Sequence, residues 1–122
     1  MARVLIVDDD PMLCEVLDLF LSSDGHEVAT AADGRSALAG LQDKPVDLAI
    51  VDLLMPVKEG FETILELKRL HPCVRVIAMS GGSALGSTDF LAMATKLGAD
   101  EALRKPVRSE ILRKTIAQCL AA

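Results

Sequence analysis

Two hydrophobic periods alternate along the chain. Short aliphatic runs at residues 4–7, 28–31, 48–51 and 74–79 have the length of buried strands, and the longer segments between them repeat apolar residues at helical spacing. A shorter run at 102–104 predicts a fifth strand. Strands separated by helical crossovers pair in parallel, and right-handed crossovers place helices on both faces. The pattern therefore predicts an α/β, doubly wound parallel sheet of five strands and five helices, with residues 1–122 forming a single domain. In such sheets functional residues gather at the carboxyl ends of the strands.

The helices carry their own punctuation. In the first, Leu13, Val16, Leu17, Phe20 and Leu21 are expected on the inward face, with Asp10 as cap, Pro11 in the first turn and Gly25 as the stop. Asp33 or Gly34 opens a second helix through Ala37, Leu38 and Leu41, and Pro45 ends it before the third strand. Gly60 is expected to precede a third helix bearing Phe61, Ile64 and Leu65 and ending by Pro72. A glycine-rich loop over 81–87 leads to a fourth helix with Phe90, Met93, Ala94 and Leu97 inward and Gly98 as its stop. The last helix is expected to bury Ile111, Leu112, Ile116, Cys119 and Leu120.

Composition narrows the function classes. The chain is 51% hydrophobic, with three Phe and no Trp or Tyr, so aliphatic side chains must build the core. A net charge of -5 argues against direct binding to nucleic acid. Charge is nevertheless uneven: Arg104, Lys105, Arg108, Arg113 and Lys114 face only Glu110 near the end, which fits a solvated helix face or a partner-docking or dimer face. Cys14, Cys73 and Cys119 have no metal-binding spacing and are expected to be reduced packing residues. His26 and His71 are expected at the surface without a role. With no leader pattern and no membrane-length apolar segment, no membrane is implied and the cytoplasm is the expected location.

The chemistry lies where the strands end. Asp8 and Asp9 close the first run, Asp52 the third, Ser80 the fourth and Lys105 the fifth. Carboxylates converging on one sheet edge repel unless a cation joins them, and an all-oxygen set suits magnesium. Asp52 could then be phosphorylated as a nucleophile, with the Ser80 hydroxyl and the Lys105 ammonium on phosphoryl oxygens. Asp10, ahead of Pro11, reads as a helix cap.

In these pieces, VLIVDDDP, DLAIVDLLMP with Gly60 after it, VIAMSGG and GADEALRKPV, the sequence resembles the receiver domain of two-component response regulators over essentially its full length. The resemblance implies a flavodoxin-like fold with strand order 2-1-3-4-5. It implies Asp52 as phospho-acceptor, and Mg2+ (or Mn2+) held by Asp8, Asp9, Asp52 and the backbone carbonyl of Leu54. It also implies Ser80 and Lys105 as phosphate-sensing groups and a cis peptide between Lys105 and Pro106. The implied role is a signalling domain, catalysing only its own phosphorylation and dephosphorylation. Its donor would be a histidine kinase or phosphotransfer protein, and its output an unknown protein or a homodimer through the fourth helix, fifth strand and fifth helix. No separate output domain is expected, so the chain reads as a stand-alone or an excised receiver.

Three departures stand out. Ala102 occupies the switch position where many receivers carry Tyr or Phe, so output is expected to run through the loop after Ser80 and the fourth helix instead. That loop is about three residues longer than in many relatives. Leu54 and Gly82, which border the phospho-site by the same resemblance, offer no group to orient water. Two other functions compete. Asp8 and Asp10 match the DxD spacing of haloacid-dehalogenase-like phosphatases, but Met12 stands where those enzymes usually have Thr and Asp52 is left unexplained. A pseudo-receiver that binds partners without phosphorylation would accommodate Ala102.

Overall fold

The computed structural model describes residues 2–53, 57–81 and 87–121, with the side chains of 57, 58 and 87–91 outside that set. Five strands, β1 (Arg3–Val7), β2 (Glu27–Ala31), β3 (Leu48–Asp52), β4 (Arg75–Ser80) and β5 (Glu101–Arg104), form one parallel sheet in the order β2-β1-β3-β4-β5. Between and after them run α1 (Pro11–Ser23), α2 (Gly34–Asp43), α3 (Val57–Leu70), α4 (Ser87–Lys96) and α5 (Ser109–Ala121). This is the expected fold and strand order.

The central strands are apolar throughout because both faces are covered. Val4, Ile6, Leu48, Ile50, Ile77 and Met79 meet Cys14 and Leu21 of α1 and Leu112, Ile116 and Cys119 of α5. The alternate residues of the same strands, Leu5, Val7, Ala49, Val51, Val76 and Ala78, meet α2, α3 and α4 through Ala37, Leu41, Ile64, Leu67 and Ala94. Strand alternation thus divides one sheet between two cores.

Local signals set most boundaries. The Asp10 carboxylate accepts from Met12 N at 3.0 Å and Leu13 N at 3.4 Å, and Pro11 follows in the first turn. Gly25, at φ 91°, ends α1, with its own N–H donating to the Ser22 carbonyl and the His26 N–H to that of Leu21. Gly98, at φ 120°, ends the α4 segment in the same left-handed region.

Several expectations need correction. Val16 is exposed, and Cys14 takes its place inward, because the buried stripe of α1 passes through 14 and 21 with Leu17 alongside. Gly60 lies inside α3, where a Cβ would stand 3.3 Å from Leu53 Cα, so it permits close packing and does not precede the helix. Leu65 is half exposed while Leu67 is buried. Met93 and Ile111 also face outward. Phe61 packs against the core as expected, and Phe90 lies outside the described side chains. All three cysteines are free. Ala2 N donates to His26 Nδ1 at 3.1 Å, so His26 anchors the first residues and is only half exposed. Among the described residues no helix is long and apolar enough to cross a membrane.

Candidate functional site

The parallel register brings the strand ends to one edge. Asp52, the last residue of β3, sits across from Met79 of β4, and Ser80 sits across from Arg104 of β5. Asp8 follows β1, and its N–H donates to the Ala31 carbonyl at the end of β2. The Lys105 N–H donates to the Ser80 carbonyl at 2.7 Å, which fixes the lysine to the end of β4 before the chain turns. The Lys105–Pro106 peptide is cis.

Asp8 and Asp52 are each only 2% exposed and Ser80 only 3%, whereas Asp9 is open to solvent. One carboxylate oxygen from each of Asp8, Asp9 and Asp52 lies within 4.8 Å of the other two. Lys105 Nζ reaches both buried carboxylates, 3.2 Å from Asp8 Oδ2 and 3.2 Å from Asp52 Oδ1. Three carboxylates against one ammonium leave these four groups with two formal negative charges. An uncompensated charge of that size is expensive near a sheet core, and a hard divalent cation with oxygen ligands would balance it. The site is thus an acidic cup with one wall open through Asp9 and, among the described residues, the Lys105 ammonium within it.

Two supports lay beyond the sequence reading. The other Asp8 oxygen, Oδ1, accepts from Asp10 N at 2.9 Å, so the turn into α1 orients the first carboxylate. Cys14 Sγ donates to the Asp8 carbonyl at 3.3 Å from one turn along α1. Burial, then the negative charges of Asp8 and Asp10, hold that thiol above its ordinary pKa, so the protonated donor is present at neutral pH. No spacing rule marks a cysteine for this contact, and only the packing of α1 on β1 reveals it.

Of the sequence-predicted residues, Asp8, Asp9, Asp52, Ser80 and Lys105 all reach the strand-end edge, while Asp10 turns away to cap α1. Leu54 and Gly82 lie outside the described residues, as does most of the loop after Ser80. Ala102 pairs with Ala78 in the sheet and is half-buried against the core on the α4 side. An apolar groove of about 460 Å³ between α1 and α5 opens beside Lys105, lined by Leu13, Leu17, Met79, Pro106, Val107 and Leu112.

The model of the response regulator receiver domain matches residues 4–117, and the chain belongs to that family. It is 39% identical to the transcriptional regulatory protein CpxR of Klebsiella pneumoniae over 106 residues, covering 87% of this chain and 44% of that one. It is 35% identical to the transcriptional regulatory protein ZraR of Escherichia coli strain K12 over 118 residues, covering 97% of this chain and 26% of ZraR. The chain therefore spans about a quarter to under a half of the length of these relatives. Among solved structures it resembles the receiver domain of NtrX from Brucella abortus at 30% identity and TM-score 0.89, covering 98% of both chains. A CheY-like receiver from Methanospirillum hungatei gives 30% identity and TM-score 0.89, covering 99% of this chain and 94% of that one. The chain is thus a receiver of two-component signalling, a family that binds Mg2+ at an acidic pocket, and it carries an acidic cluster of that kind.

Proposed function

We propose that this receiver takes a phosphoryl group onto Asp52 from a phosphohistidine of a histidine kinase or phosphotransfer protein, with Mg2+ (or Mn2+) held by Asp8, Asp9, Asp52 and the Leu54 carbonyl. The observation that carries this reading is the meeting of three carboxylates with one ammonium at a single sheet edge. Bound there, the metal ion supplies charge neutralisation for a phosphoryl group.

The chain's own residues do the rest. An Asp52 carboxylate oxygen forms the new P–O bond in line as the P–N bond to the donor imidazole breaks, and the imidazole leaves with its electron pair. Lys105, already 3.2 Å from Asp52 Oδ1, turns its ammonium to a phosphoryl oxygen as charge shifts outward. The Ser80 hydroxyl binds a second one. No general base is needed, because the acceptor is a carboxylate with no proton to lose. The chain catalyses only its own phosphorylation and its return by hydrolysis.

The donor docks beside α1, where Met12, Val16 and Leu19 are exposed next to the apolar groove that ends at Lys105. With Ala102 at the switch position, output runs through the loop after Ser80, α4 and α5, toward a partner protein or a second copy. Intact mass after treatment with acetyl phosphate tests the acceptor chemistry: one phosphoryl group gained with Mg2+, and none with chelator or in Asp52→Asn. Amide exchange over 81–98 tests the output route, which fails if a beryllofluoride phosphate mimic leaves that exchange unchanged.

A further inference from the structure

The helix after the acceptor strand is held from two sides. On one, Gly60 lets the first turn of α3 rest on the backbone of Asp52 and Leu53: a Cβ at Gly60 would lie 3.3 Å from Leu53 Cα and 3.4 Å from the Asp52 carbonyl oxygen. On the other, the preceding residue, Glu59, reaches to α2, where its Oε1 accepts the Gly34 N–H at 3.1 Å. That N–H belongs to the first turn of α2, whose donors have no partner within the helix, and its neighbour at Ser36 is already served by Asp33 Oδ1 at 2.8 Å. Thr63, one turn further along α3 and 3% exposed, fills the space over Gly34, where any Cβ would overlap its Oγ1. The same Oγ1 donates to the Glu59 carbonyl at 2.7 Å, tying the two contacts together.

We infer that Glu59 is a positioning residue for Asp52: by capping α2 from the first turn of α3, it holds that turn against the Asp52–Leu53 backbone and so fixes the acceptor's place in the acidic cup. The inference rests on the reading of Asp52 as acceptor. Its physical content is a chain of three contacts: Gly34 to Glu59, Glu59 to Gly60 through the helix backbone, and Gly60 to Asp52 and Leu53. Leu53 is itself fixed on its far side, its N–H donating to the Met79 carbonyl at 2.7 Å. Glu59 also lends a negative charge to two helix N-termini, so the hydrogen bond and the charge must be separated by experiment.

The test compares initial rates of phosphorylation by acetyl phosphate in saturating Mg2+, read by intact mass, for the full chain and its variants. Glu59→Ala removes the acceptor for Gly34 and is expected to slow the reaction roughly tenfold, the low end of what losing an outer contact does to a metal site. Glu59→Gln keeps an oxygen for Gly34 without the charge and is expected to recover most of the rate. Arg113→Met, which cuts an ion pair with Asp24 on the other face of the sheet, controls for general loss of stability and is expected to react at the wild-type rate. Amide exchange at Gly34 and Leu53 should quicken in Glu59→Ala and stay slow in Glu59→Gln. Should Glu59→Ala not fold, Glu59→Asp, one methylene short of Gly34, replaces it in the comparison. A wild-type rate in the shortened variants overturns the inference, as does equal slowing in Glu59→Gln or Arg113→Met. If the wild-type chain takes no phosphoryl group at all, the acceptor reading fails, while exchange at Leu53 still decides whether Glu59 holds that backbone.

Discussion

Lys105 Nζ lies 3.2 Å from Asp52 Oδ1, joining the chain just beyond β5 to the last residue of β3 across the intervening β4. The same ammonium is 3.2 Å from Asp8 Oδ2, so a single flexible side chain bridges two buried carboxylates. On the proposed reading, the lysine and a bound divalent cation would serve the same charges by different means.

Removing the ammonium should therefore make the fold depend on the metal. Lys105→Gln leaves Asp8 and Asp52 facing each other, and without Mg2+ it should lose about 3 kcal/mol, the low end for breaking a buried ion pair. Thermal unfolding with and without Mg2+ checks this. The rise in melting temperature on adding Mg2+ should be larger in Lys105→Gln than in the wild type, and equal rises would refute the account of shared charge.

Asp10 caps α1, whereas its neighbour Asp9 is proposed to serve the cation. Asp10→Ala removes the cap of α1 and should lower stability by about 1 kcal/mol while leaving Mg2+ affinity unchanged. Asp9→Ala should do the reverse, weakening Mg2+ binding by roughly tenfold or more with little effect on melting. Calorimetric titration with Mg2+ beside denaturant unfolding separates the two, and a loss of Mg2+ affinity in Asp10→Ala would move that residue into the site.

The opposite edge of the sheet predicts a pH dependence. Burial alone would raise the Asp100 pKa, but it is outweighed by the hydrogen bonds from Lys68 and the Val76 N–H and by the charges of Lys68 and Arg75, so the carboxyl stays below its ordinary value. A depressed carboxyl stabilises the fold above its unfolded pKa, and that stability is lost as pH falls through the folded value. Asp100 should thus contribute fully above about pH 4 and progressively less below it. Asp100→Asn keeps an acceptor for Val76 but loses the ion pairs to Lys68 at 2.9 Å and Arg75 at 3.6 Å. Its stability, measured by denaturant unfolding, should fall less steeply below about pH 4 than that of the wild type.

The seat of α2 on α3 is a steric prediction. Gly34→Ala drives a methyl group into Thr63 Oγ1 and should destabilise by about 2 kcal/mol, as overpacking in a dense core does. Thr63→Ala removes that oxygen, so the double variant should lose less than the sum of the two single losses. An additive double-mutant cycle would mean that the two residues do not compete for the same space.

The strand-end placement of these residues was legible because strand ends need no three-dimensional knowledge once the sheet is parallel: an aliphatic run that stops in Asp8 or Asp52 delivers its carboxylate to a known edge. Helix orientation was harder to read. Val16, Leu65 and Ile111 are as apolar as their neighbours, and each lies next to the buried stripe of its helix rather than on it. Choosing between Val16 and Cys14 requires knowing how α1 is rotated on β1, which is set by the sheet and not by α1's own residues. Gly60 misled for a related reason, since a glycine that allows close packing looks in sequence like one that breaks a helix. Glu59 gave no signal at all, because its partner Gly34 is distant in sequence and offers only a backbone N–H.

In the proposed function Asp52 accepts the phosphoryl group, with Asp8 and Asp9 serving the cation. Borohydride reduction of the acetyl phosphate-treated chain, followed by peptide mapping, locates an aspartyl phosphate directly. A single modified residue, Asp52, is expected, formed only when Mg2+ is present. Modification at Asp8, or at Asp52 to the same extent in chelator, would contradict it.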